Sequence, residues 1–223
     1  MKKIGLGVFI FTVGIFFVIA GPIPQDETFH AFADTRTLFG VPNFWNMVSN
    51  LPFAVVGIIG LTRFRGLTDR ALFSGILLTA FGSAYYHLAP NDSRLIWDRL
   101  PMTIVFMAFT AAVVSEESNA RLPLALLIAG TASILWWSRM NDLRPYAVVK
   151  FGPILWIAPM LIRSKHRAYL WSIIGLFALA EALELADRAM GHGLYLSGHT
   201  LKHLSAGAAT WAVYCWRDRS ALA

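Results

Sequence analysis

The sequence predicts an all-α integral membrane protein, with a seven-transmembrane helical core and one additional N-terminal hydrophobic span. Three observations predict it. Of 223 residues, 57% are hydrophobic and only 14% are charged, too few to cover a soluble domain of this size. Apolar runs of roughly 17–20 residues recur along the chain, each long enough to cross the hydrocarbon core. Basic residues gather in short segments between those runs, as the positive-inside bias requires.

Met1-Lys2-Lys3 precedes an apolar run ending near Ala20. This stretch has the shape of a signal peptide, with Val18-Ile19-Ala20 as a passable cleavage site, and also the length of a membrane anchor. Residues 1–21 are therefore expected to be a signal-anchor span or a signal peptide. Residues 22–42 are expected to form an extracytoplasmic connector, polar and carrying Asp26, Glu27 and Asp34. Residues 43–219 form the core, with spans expected at about 43–61, 71–88, 98–115, 121–137, 145–162, 168–187 and 199–216.

The first core span ends at a basic loop, Thr62 to Arg70, with Arg63, Arg65 and Arg70. The second stops at the helix-breaking Ala89-Pro90-Asn91-Asp92. The third opens near Asp98 and Pro101, a proline suited to an early helical turn. Arg163-Ser164-Lys165-His166-Arg167 separates the fifth span from the sixth, and Arg217 and Arg219 follow the last. With Lys2 and Lys3, these basic segments share one side if the chain crosses eight times, which puts both termini in the cytoplasm when the first span is retained. The short loops point to a bacterial inner membrane. The tryptophans, among them Trp45, Trp97, Trp136, Trp137, Trp156 and Trp211, mostly lie near span ends as interfacial anchors.

A net charge of +6 would suit nucleic acid, but the basic residues sit in loops between apolar spans, with no aromatic-rich basic groove. Nucleic acid is therefore not an expected partner. The single cysteine, Cys215, excludes an internal disulfide and a cysteine-based zinc site. No Gly-rich phosphate loop, Cys-x-x-Cys or His-Glu-x-x-His motif occurs.

Two segments carry the chemistry. Ser83-Ala-Tyr-Tyr-His87 is followed eleven residues later by Asp98, and His199-Thr-Leu-Lys-His203 opens the last span. A spacing of four puts His199 and His203 on one helix face, one turn apart, so they can grip one metal ion. His87 can supply a third imidazole from another helix. Three neutral histidines leave zinc its full charge and an open position for water, the catalytic rather than the structural pattern. The topology places His87, Asp98, His199 and His203 at one depth near the outer leaflet, with Ser83 one turn deeper. Ionisable groups at such depth cost a few kcal/mol and mark functional sites by default.

Each residue also has a plainer role. A histidine near a helix end can be an interfacial residue with a satisfied ring. Asp98 can cap a helix start or partner Arg99, or it can hold and deprotonate a metal-bound water and later protonate a leaving group. Ser83 can simply let two helices approach, or its hydroxyl can stabilise an oxyanion. Glu181, Glu184 and Asp187 form an acidic stripe on one helix face, expected to pair structurally with Arg139, Arg144 or Lys202. His30, His166 and His192 are expected to be solvated loop residues.

The motifs resemble those of the alkaline ceramidases. Asn43-Phe44-Trp45-Asn46-Met47-Val48-Ser49-Asn50-Leu51-Pro52-Phe53 is similar to their first core helix. Gly82-Ser83-Ala84-Tyr85-Tyr86-His87 and Trp97-Asp98-Arg99-Leu100-Pro101-Met102-Thr103 are similar to the second and third, and Ser197-Gly198-His199-Thr200-Leu201-Lys202-His203 to the start of the seventh. The resemblance covers about residues 34–216 and extends to the wider CREST superfamily of membrane hydrolases, which includes lipid-remodelling proteins and the PAQR receptors.

The resemblance implies a seven-helix core with zinc held by His87, His199 and His203, Asp98 contacting the zinc-bound water, and Ser83 near the substrate carbonyl. It implies hydrolysis of the amide bond in ceramide. The family's calcium site is only partly matched: Asp34 fits, but Asn43 stands where an acidic ligand would be expected, so at most a weak calcium site is implied at Asp34. The expected function is a zinc-dependent amidohydrolase acting on ceramide or a related N-acyl lipid drawn from the membrane. The alternatives are a lipid esterase or lipid-remodelling hydrolase of the same superfamily, and a PAQR-like receptor with structural zinc. Physiological substrate, acyl-chain preference and oligomeric state are not readable from the residues.

Overall fold

The computed structural model describes residues 2–116, 124–162, 164–190 and 195–221. Arg163 and His192, assigned above to loops, lie outside these residues. The described chain runs through α1 (Lys2–Ile19), α2 (Phe44–Val48), α3 (Leu51–Arg63), α4 (Leu67–Leu88), α5 (Asp92–Glu116), α6 (Leu124–Met140), α7 (Arg144–Leu161), α8 (Arg167–Met190) and α9 (Gly198–Ala221). A short 3-10 turn occupies Glu27–His30, and a lone bridge joins Leu38 to Val41.

Among the described residues four helical stretches are long and apolar enough to cross a membrane: Phe44–Arg63, Leu67–Leu88, Asp92–Ser115 and Arg167–Met190. Gly5–Ile19 and Leu124–Met140 are apolar but shorter. The expected count of seven core spans is thus not reached by length and apolarity alone. α6 falls short in length, and composition accounts for the other two: α7 carries Arg144 and Lys150, and α9 carries His199, Lys202 and His203.

The first core span is broken. Pro52 has no N–H to return to Val48, and its ring would clash with that carbonyl, so the helix stops at Val48 and restarts at Leu51. Side chains answer the loosened carbonyls. Ser49 Oγ and Asn50 Nδ2 both donate to the Asn46 carbonyl, at 3.1 and 2.9 Å. α5 begins at Asp92, six residues before the expected start, because the Asn91 side chain accepts from the Arg94 N–H at 3.0 Å and caps it. Pro101 is therefore an interior proline rather than an early-turn one. It cannot donate to the Trp97 carbonyl one turn earlier.

α4 packs along α3 and α5, α8 along α9, and α9 back against α3. The main apolar core lies between these helices, around Phe73, Ile76, Ala108, Leu161, Leu170 and Trp216. At one end of the bundle Arg63 meets Asp218 at 2.7 Å and Arg217 meets Asp69 at 2.6 Å, joining the end of α3, the start of α4 and the end of α9. His166 is 7% exposed, so the solvated reading of it is corrected: it packs inward at the turn into α8. α1 lies on α7, with Phe9 stacked on Trp156 at 6.1 Å.

The connector is tied down across the opposite end. Ile23 N–H donates to Asp142 at 3.2 Å, Leu143 N–H donates to the Ile23 carbonyl at 2.8 Å, and Gln25 N–H donates to the Asn141 side chain at 2.9 Å. Hydrogen bonds from the Arg144 guanidinium hold the Asp142 carboxyl well below the usual carboxylate range. Further along, Ala33 N–H donates to Asp187 at 2.9 Å and Asn46 Nδ2 donates to the Asp34 carbonyl at 3.1 Å. His30 bridges Tyr86 Oη at 2.8 Å and Asp92 at 3.1 Å, and so is a clamp between connector and bundle rather than a solvated loop residue.

Candidate metal centre

The start of α9 is set by its caps. Ser197 Oγ accepts from Thr200 N–H at 3.1 Å, and Asp187 of α8 accepts from His199 N–H at 2.7 Å. A carboxylate at that helix end also suits the positive end of the macrodipole. Gly198 permits the close start: a Cβ there would lie 2.6 Å from the Leu183 carbonyl oxygen and 2.7 Å from Asp187 Cα. These contacts aim His199 and His203 inward at the last turn of α4, where His87 sits.

The three histidines converge as their spacing predicts. They are 0, 2 and 5% exposed at His87, His199 and His203, and each offers a ligand atom within 4.8 Å of the others. Among the described residues they are the one such group of His, Cys, Asp or Glu. His87 Nε2 and His199 Nε2 face each other at 3.2 Å. Nitrogens about 2.0–2.1 Å from a tetrahedral zinc lie roughly 3.3 Å apart, so this separation fits two ligands of one ion.

The opposite edges of two rings are already engaged. His203 Nδ1 lies 2.8 Å from Ser49 Oγ and 3.1 Å from the Asn46 carbonyl oxygen, the carbonyl loosened by the Pro52 break. With Ser49 Oγ donating to that same carbonyl, the ring nitrogen must be the donor, which leaves Nε2 with its lone pair for a metal. His199 Nδ1 lies 2.9 Å from Glu184 Oε2, which also meets Lys202 Nζ at 2.6 Å. Such carboxylate and carbonyl partners fix the ring and raise its basicity as a ligand. Phe32 of the connector covers the rings, 4.8 Å from His87 and 4.4 Å from His199 between centroids. The donor set, its burial and its fixed tautomers suit a divalent metal ion.

Ser83 and Asp98 lie together beside this group. The Ser83 hydroxyl lies next to the Asp98 carboxyl, which also feels the charges of Lys202, Arg99 and His199. Asp98 does not cap a helix, since α5 starts at Asp92. Nor does it monopolise Arg99, whose guanidinium lies over Trp137 at 4.4 Å, Tyr146 at 5.0 Å and Phe29 at 5.2 Å. Trp137 is accordingly buried in this cage and is not an interfacial anchor.

The close approach of α4 and α5 is made by Gly82 rather than Ser83. A Cβ on Gly82 would strike the Trp97 carbonyl oxygen, the oxygen that Pro101 leaves without its helical donor, and would lie 3.4 Å from Asp98 Cα. Gly82→Ala is therefore expected to cost about 1–3 kcal/mol by overpacking. Gly175→Ala, where a Cβ meets nothing within 4 Å, is expected to be neutral or stabilising. Denaturation midpoints of the two variants check the contrast.

The acidic stripe divides its work. Glu184 pairs with Lys202 as the spacing suggested, but Glu181 meets Lys150 at 2.6 Å, and Arg144 pairs with Asp142 instead. Asp34 is buried and held by its neighbour: Arg36 Nε donates to Oδ1 at 2.8 Å and Nη2 to Oδ2 at 2.5 Å. Asn43 donates to the His87 carbonyl at 2.9 Å. Reading the residues alone missed Glu184, Asn46 and Ser49 as partners of the converging histidine rings. The break before Pro52 was the available signal for Asn46 and Ser49; for Glu184 it was a carboxylate one turn from Asp187 on the helix preceding the histidines.

The Ceramidase family model matches residues 39–166, more than half of the chain. The match takes in Asn46, Ser49, Ser83, His87 and Asp98 and ends before His199 and His203. No curated protein matches the chain.

Proposed function

The chain belongs to the ceramidase family, and from that premise we propose that it is a zinc-dependent membrane amidohydrolase cleaving the amide bond of ceramide or a related N-acyl lipid. The observation that carries this reading is the convergence of three buried imidazoles beside a paired serine and aspartate. A zinc ion held by His87, His199 and His203 would supply a Lewis acid and a water acidic enough to attack at neutral pH. Asp98 takes the proton from the attacking water as the new C–O bond forms. It returns that proton to the amide nitrogen as the C–N bond breaks, so a fatty acid and an amine leave. Ser83 donates a hydrogen bond to the carbonyl oxygen as negative charge develops there. Glu184 and the Asn46 carbonyl hold His199 and His203 in their tautomers.

An apolar hollow of about 150 Å³ supports a lipid substrate. It opens one turn inward of the site, bounded by Thr79, Met102 and Ala206, which lie three or four residues from Ser83, Asp98 and His203. An alkyl chain in this hollow brings its amide to the level of the histidines. In the proposed topology the broken span Phe44–Arg63 and the helices α4 to α9 make the seven-helix core, residues 43–219. Residues 22–42 are its outer connector, and residues 1–21 a retained anchor supported by the contact of α1 with α7. The basic end is cytoplasmic, in a bacterial inner membrane, and the histidines lie near the outer leaflet.

The test is fatty acid release from a panel of N-acyl lipids and matched esters, alongside the zinc content of the purified protein. Amide cleavage by zinc-loaded protein, abolished by chelation and restored by zinc, is the expected result. Cleavage of esters alone would replace the amide reading with a lipid esterase. Full turnover by zinc-free protein would overturn the metal mechanism.

A further inference from the structure

A second concavity, of about 310 Å³, lies on the outside of the bundle between α4 and α5. Leu78, Phe81 and Tyr85 of α4 and Trp97 of α5 line it and are all exposed, while Gly82 and Pro101 form a less exposed floor. That floor is closed where Gly82 meets the Trp97 carbonyl. Positions 78, 81 and 85 share one face of α4, and the buried Thr79, Ser83 and His87 share the opposite one. The groove is thus separate from the metal centre, and its surface is nearly all carbon.

A cation stands at one end of it. Arg94, in the first turn of α5, is three residues before Trp97 and so on the same side of the helix. Its guanidinium lies over the ring of Tyr85, in the last turn of α4, at 4.5 Å, and its Nη1 donates to the Tyr85 carbonyl at 3.2 Å. Among the described residues no carboxylate pairs with it: Asp92, two residues earlier, meets His30 at 3.1 Å instead. A guanidinium has five N–H donors, so most of those on Arg94 are left for another acceptor. An apolar trough with an unneutralised cation at its end has the pattern of charge and apolarity of a lipid that carries a negative headgroup.

We propose that this groove seats one anionic phospholipid, its phosphate on Arg94 and an acyl chain along the trough between Phe81 and Trp97. A guanidinium meets a phosphate through two parallel hydrogen bonds, and Tyr85 and Trp97 are residue types that settle at the boundary between headgroup and chain. A zwitterionic headgroup fits less well, because its ammonium would need a carboxylate and Asp92 is already held by His30. Occupation of the groove does not depend on hydrolysis.

The experiment uses the full chain in phosphatidylcholine vesicles that contain a minor fraction of lipid with brominated acyl chains. Bromine quenches tryptophan on contact, and the part of the quenching lost in Trp97→Phe is the part that arises in the groove. Brominated phosphatidylglycerol is expected to quench Trp97 at a concentration on the order of fivefold lower than brominated phosphatidylcholine. Added salt shrinks that preference. In Arg94→Gln the preference disappears while phosphatidylcholine quenches as before, and Arg94→Lys, which keeps the charge, retains most of it.

Equal quenching of the wild type by the two lipids overturns the site, since the groove then holds whichever lipid surrounds the protein. An undiminished preference in Arg94→Gln overturns it as well. So does brominated phosphatidylethanolamine acting as strongly as phosphatidylglycerol, because it shares the phosphate and lacks the net charge. Fatty acid release is measured in the same vesicles. Hydrolysis without lipid preference sinks this site alone, and lipid preference without hydrolysis sinks only the amidohydrolase.

Discussion

Under the proposed function, replacing His203 with alanine is expected to abolish both metal binding and hydrolysis. Its ring would supply one of the three candidate ligand nitrogens, and the other two, on His87 and His199, stand 3.2 Å apart with no further histidine in the group. Disturbing a residue that merely orients a ligand costs roughly 10–100-fold in metal affinity, so deleting a ligand outright costs more. The substitution also strips the Asn46 carbonyl and Ser49 hydroxyl, both buried, of the ring N–H they now meet. Metal content by elemental analysis, with fatty acid release on the same preparation, checks both losses. Metal retained at the wild-type ratio would remove His203 from the ligand set.

Asp98→Asn is expected to have the opposite signature: metal binding kept and turnover lost. The side chain is not among the convergent histidines, and asparagine keeps its size and its place next to Ser83. It cannot accept a proton from water or return one to nitrogen. General acid–base catalysis contributes about 10²–10⁴-fold, equivalent to roughly 3–5 kcal/mol of barrier, so kcat falls by that factor with KM little changed. Full turnover in Asp98→Asn would assign the proton transfers to another group. The pair of variants also separates an enzyme from a receptor with structural metal. In the receptor, His203→Ala would lower stability, and Asp98→Asn would change nothing measurable by hydrolysis.

Much of the candidate metal centre was legible because local geometry dictates it. Four residues make one helical turn, so His199 and His203 face one way in any helix containing both. His87 and Asp98 flank the helix-breaking Pro90 and so come to one end of adjacent helices. Helix bounds were less legible. α5 starts at Asp92 because Asn91 caps it, a stronger start signal than Pro101 beside Asp98. The span count was obscured for a related reason: α7 and α9 carry the charges and imidazoles of the site and so lose the apolarity by which a span is recognised.

The sequence by itself determined an all-helical chain built for lipid, a pair of histidines on one face, and a third imidazole with a serine and an aspartate at the same end. Those properties follow from periodicity, composition and turn chemistry, which act within a few residues. Only the tertiary structure decided what each ring's second nitrogen touches. Glu184 reaches His199 from another helix, and the Asn46 carbonyl is open to His203 because Pro52 interrupts a helix more than 150 positions away. The pairing of Lys150 with Glu181 and the cover of Phe32 over the rings are of the same kind. They depend on how helices distant in sequence are pressed together, through contacts such as Gly82 on the Trp97 carbonyl, and no local pattern encodes that placement.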